Sequence, residues 1–95
     1  MTDTLLALGS LSNDLMRVAS LTFRGSETAA ERFLQESTRW TRQLSESQPN
    51  QQLPPYITKI VQAVDHQSYS KCDLAKAEQL LMYGILLQNY CAAQR

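Results

Sequence analysis

Apolar positions along this chain recur with a helical period. Leu8, Leu11, Leu15, Val18, Ala19 and Thr22 fall on one stripe, and their spacing predicts a helix over residues 4–23. Gly25 supplies a stop signal. Ser26 can cap the next helix, and Glu27 suits its first turn. A second stripe of Ala30, Phe33, Ser37, Trp40 and Leu44 predicts a helix over 27–45, running antiparallel to the first. The polar stretch SESQPNQQ, punctuated by Pro49, Pro54 and Pro55, makes the longest loop.

Ile57, Ile60, Val61 and Val64 then predict a short helix over 55–66 that opens on its prolines. The residues are β-branched, but their spacing fits a helix better than the strict alternation of a half-buried strand. The fourth helix is expected to open at Ser70-Lys71-Cys72-Asp73 and to run over 71–93. Ser70 would be its cap, answered weakly by Asp73 three residues later. Short connections at 24–26 and 67–70 favour antiparallel neighbours. The expected fold is all-α: a single helical domain over 1–95 built as a small four-helix up-down bundle.

The fourth helix is apolar over more than one side. Projected at about 100° per residue, Leu74, Ala77, Leu80, Leu81, Gly84, Ile85, Leu87, Cys91 and Ala92 share one arc, the expected core face. Within it Ala77, Gly84 and Cys91 recur every seven residues, so another helix can approach closely. That gives Gly84 a packing reason to offset its helix cost of about 1 kcal/mol. Met82, Tyr83, Leu86 and Tyr90 fall on a different side. The first three helices carry single stripes, so this surplus predicts a second contact surface, rich in residue types enriched at interfaces. The competing expectation is that the helix is central, with others packed on two of its sides.

Composition sharpens that picture. Nine basic and nine acidic residues among 95 leave no net charge. Neutrality argues against general electrostatic capture of nucleic acid or anionic membrane, and it removes self-repulsion between copies. A chain this short buries only about two-thirds of the surface it exposes when unfolded, and association with another copy is one remedy. No apolar run reaches the ~18 residues of a membrane span, and the first residues lack the pattern of a signal peptide. A cytoplasmic location is the expectation. Cys72 and Cys91 on one helix would lie about 29 Å apart, against the ~7 Å limit between the Cα atoms of a disulfide. Both are expected to be reduced.

Chemistry-bearing residues are sparse. His66 is the one histidine, next to Asp65 at a predicted helix end, where a dipole contact is the simplest role. Asp65, His66, Cys72 and Asp73 lack the spacing of a metal site, and Gly9, Gly25 and Gly84 stand apart rather than forming a phosphate loop. No catalytic, cofactor or metal site is expected. Arg32, Arg39 and Arg42, with Arg24 at the helix entry, make a row that can meet phosphates. Arg32 with Glu36, and Arg42 with Glu46, are spaced to pair instead. Phe33 and Trp40 are expected in the core, and Tyr56 and Tyr69 flank the third helix.

Together these features predict a non-enzymatic protein that binds another protein chain, as a small adaptor, chaperone-like or regulatory helical protein. It is expected to form a homodimer through Met82, Tyr83, Leu86 and Tyr90. The alternative is a nucleic-acid-binding regulator that uses the Arg row. No motif ties the chain to a family.

Overall fold

The computed structural model describes residues 3–46, 53–65 and 73–94. They form four helices and, among the described residues, no strand: α1 (Asp3–Phe23), α2 (Glu27–Glu46), α3 (Pro55–Asp65) and α4 (Leu74–Ala93). His66, Ser70, Cys72 and Tyr69, along with the polar stretch around Pro49, lie outside the described residues.

The helix ends follow from local chemistry. Gly25 takes a φ of +81°, which side chains with a Cβ rarely adopt. This lets the Ser26 N–H donate to the Leu21 carbonyl at 2.8 Å and the Gly25 N–H to the Thr22 carbonyl at 3.0 Å, closing α1 in a Schellman turn. At α3 the Pro54 carbonyl accepts from the N–H groups of Ile57 and Thr58, with Pro55 in the first helical position. The start of α4 differs from the expectation. Asp73 is extended and its carboxylate accepts from the Lys76 N–H at 2.8 Å, so Asp73 is the N-cap and the helix begins at Leu74. The cap is a carboxylate, three residues later than the serine expected in that role.

Neighbouring helices run antiparallel. Trp40 meets Asp14, and Arg17 meets Phe33, across α1 and α2. Ser12 meets Gly84, and the Cys91 thiol lies 3.8 Å from the Leu5 carbonyl, across α1 and α4. The Thr41 hydroxyl donates to Asp65 at 2.9 Å, joining α2 to the end of α3. α1 packs broadly on both α2 and α4, while the shorter α3 lies mainly against α2 and closes the ring on α4 more narrowly. The result is an up-down four-helix arrangement. Its core runs through Leu8, Leu11, Leu15, Leu34, Ile57 and Leu80, all fully buried.

The inner stripe of α2 is rotated from the expected one. Its buried residues are Ala30, Leu34, Ser37, Thr41 and Leu44, while Phe33 and Trp40 sit half-buried at its edge. Ser37 and Thr41 enter the core because their hydroxyls are satisfied, Ser37 by the Leu34 carbonyl and Thr41 by Asp65. Their small size lets the helix sit close. The aromatic rings then overhang α1, where Trp40 donates to Asp14 and Phe33 carries the Arg17 guanidinium 5.3 Å from its centroid.

The α1–α4 seam bears out the reason for Gly84. A Cβ there would lie 2.9 Å from Met16 Cγ and 3.2 Å from the Ser12 carbonyl oxygen. The buried Ser12 hydroxyl donates to the Gly84 carbonyl at 2.7 Å, a hydrogen bond that needs the two backbones this near. Gly84→Ala gains about 1 kcal/mol of helix propensity but overpacks this seam, which typically costs about 1–3 kcal/mol. The expected outcome is a net loss of stability in urea unfolding, and a far larger loss for Gly84→Leu. A more stable Gly84→Ala would show that the helices part easily and that close approach is not required.

Candidate interaction surface

The outer side of α4 is set by its inner side. Ala77, Leu80, Gly84, Leu87 and Cys91 are buried. At about 100° per residue, the centre of that group lies nearly opposite Met82. Met82 is therefore 63 % exposed and Leu86 37 % exposed. Tyr83 and Tyr90 stand on one shoulder, half-buried against the core, and the Tyr83 hydroxyl accepts from Gln79 Nε2 at 2.9 Å. Of the four residues expected at a contact surface, Met82 and Leu86 project into solvent and the two tyrosines contribute their outer edges.

Three residues expected in the core, Leu74, Ile85 and Ala92, belong to the surface instead. Leu74 is 60 % exposed and Ile85 44 % exposed. The arc drawn from the sequence is wider than one neighbouring helix covers. α1 meets α4 at Gly84 and Cys91, so Leu74, Ile85 and Ala92 pass beyond its edge on the shoulder away from the tyrosines. Leu81 remains half-buried at that edge, beside Met16, Ala19 and Phe23. Sequence projection located both arcs. Only the position of α1 decides where one ends.

This surface carries almost no charge. From Gln79 to Gln94 the sequence contains no acidic or basic residue. Apolar side chains here are thus not interleaved with the lysines and glutamates that usually keep a helix face solvated. No described helix is long and apolar enough to cross a membrane.

The Arg row occupies a different face. Arg32, Arg39 and Arg42 are exposed on the outer side of α2. Glu36 pairs with Arg39 at 3.7 Å, rather than with Arg32 as its spacing suggested. Arg39 also lies 5.7 Å from the centroid of the Trp40 ring. Such exposed pairs contribute little to stability. Beside the row is a cleft of about 450 Å³ lined by Asp14, Ala29, Arg32, Phe33 and Glu36. Among the described residues no group of three or more His, Cys, Asp or Glu is placed to hold a metal ion.

No protein-family model, no curated protein and no solved structure matches the chain.

Asp14 was not singled out by the sequence, yet its surroundings perturb its carboxyl. Burial raises its carboxyl above the ordinary value, the Trp40 hydrogen bond opposes this, nearby Glu36 adds to the rise and Arg17 offsets part of it. A carboxyl raised on folding binds its proton more readily in the native state. Its contribution therefore favours the fold at low pH and is lost as pH rises from the unfolded value through the folded one. Asp14→Asn keeps an oxygen for the Trp40 N–H and removes the buried charge. The variant is expected to be more stable than the parent at pH 7, with the gap closing as pH falls and Asp14 itself becomes neutral. Urea unfolding from pH 7 to 4, followed by Trp40 emission, measures this. A variant less stable at pH 7 would show that the ionised carboxylate is favoured where it sits.

Proposed function

We propose that this protein is a non-enzymatic interaction module that binds another protein chain through the outer face of α4, and that its first partner is a second copy of itself. The observation that carries this is the exposure of Met82 and Leu86 on a stretch of helix free of charged side chains. Ile85 and Leu74 widen the apolar area on one shoulder, and Tyr83 and Tyr90 border it on the other. A contiguous exposed patch of this kind marks an interaction site on a small domain. Methionine and tyrosine are favoured at such sites, and charge is depleted at their centres.

Two further features support self-association. The chain has no net charge, so copies do not repel one another at long range. A 95-residue bundle also has little core from which to draw stability, and burying the α4 face between copies adds to it.

Light scattering coupled to gel filtration is expected to find the parent chain as a dimer. Met82→Lys combined with Leu86→Lys is expected to give a monomer that keeps its helical circular dichroism, because both side chains point into solvent in a single copy. A parent chain that is monomeric at every concentration would overturn self-association. Variants that unfold would show that these side chains are held in the core.

A further inference from the structure

The outermost stripe of α4 consists of Ala75, Gln79, Met82, Leu86, Asn89 and Ala93, all exposed. Their spacing alternates between four and three residues, the a/d repeat by which one helix packs along another. Every helix has positions at these offsets; the difference lies in what fills them. The corresponding outer stripes carry Arg17 on α1, Arg32, Arg39 and Glu46 on α2, and Lys59 on α3. On α4 the stripe has no charge, an apolar pair at its centre, an amide on each side and an alanine towards each end.

The stripe is also chemically symmetric about Gly84. Ala75 and Ala93, Gln79 and Asn89, and Met82 and Leu86 lie at equal numbers of residues on either side of it. A two-fold axis through that level sets alanine against alanine, amide against amide and Met82 against Leu86, the self-complementarity of an isologous interface. We infer that the occupant of this face is α4 of a second copy, lying antiparallel across the first and registered on Gly84. This arrangement rests on the self-association proposed above and specifies its orientation and register.

Polar satisfaction and charge both favour that orientation. Gln79 already donates to the Tyr83 hydroxyl, which leaves its carbonyl oxygen to accept from Asn89 of the partner subunit. Antiparallel helices also oppose their macrodipoles. Parallel helices would bring the two Glu78 side chains to the same level, where like charges repel, whereas the antiparallel register sets each Glu78 against Tyr90 of the other copy. The alanines let the helix ends approach closely, and Ile85 and Tyr83 close the seam on its two sides.

Cysteine cross-linking tests orientation and register directly. Ala75→Cys and Ala93→Cys chains are made separately in a Cys72→Ser background; Cys91 stays, being buried against α1. The two are mixed, allowed to exchange and then oxidised. The mixture is expected to form a disulfide-linked heterodimer at least about tenfold more readily than either variant alone. In the antiparallel register position 75 meets position 93, while like positions are about 27 Å apart along the axis. Efficient linkage of Ala75→Cys to itself would show a parallel pair and overturn the inference. A chain that light scattering finds dimeric, but that links in no combination, places the interface elsewhere: the inference falls and self-association stands. A chain that is always monomeric removes both. Circular dichroism of each variant checks that these exposed substitutions leave the fold intact.

Discussion

The close approach of α1 and α4 at Gly84 fixes the orientation of the helix that carries the candidate surface. Without a Cβ at Gly84, the Ser12 hydroxyl reaches the Gly84 carbonyl, and Ala77 and Cys91 sit on the same buried side. Once that side faces α1, helix geometry leaves no freedom for the other. Met82 and Leu86 must point outward, because they lie across the helix axis from the buried group. The outer apolar face is thus a consequence of the inner contact.

Several polar groups help to set register inside the bundle. Ser12 joins α1 to α4, Thr41 joins α2 to α3, and Trp40 joins α2 to Asp14 on α1. Each link has its partner at one level along the helices, so a slip of one turn would leave a buried donor or acceptor unmatched. Leucine packing alone would tolerate such slips more easily. Asp14 is the least comfortable of these groups, a largely buried carboxylate whose neutral form is favoured by its surroundings.

In a ring of four helices each one has two neighbours, and a helix apolar over more than one side has surface to spare. α4 is that helix. α1 is covered broadly on two sides and bears several buried polar residues, whereas α4 is covered mainly by α1 and is the more apolar of the two on its outside. The mismatch between what α4 offers and what its own chain covers is the physical basis for proposing a partner there. α2 has the opposite character, with its outer stripe charged and partly paired.

Much of the architecture was legible in the sequence because it depends on local rules. Apolar spacing located all four helices, glycine at 25 marked the turn, and the heptad of Ala77, Gly84 and Cys91 announced a close contact. The misreadings arose where a choice depended on a neighbour. Phe33 and Trp40 look like core by type, yet Leu34 and Thr41 are buried, because Thr41 finds Asp65 and the rings find partners on α1. Leu74 and Ile85 look like core by projection, yet they pass beyond the edge of α1. Periodicity and capping involve a few consecutive residues, so the sequence alone determined the helices and most of their ends. Where an inward-facing apolar arc ends depends on the width and angle of the helix opposite, and that only the tertiary structure decided.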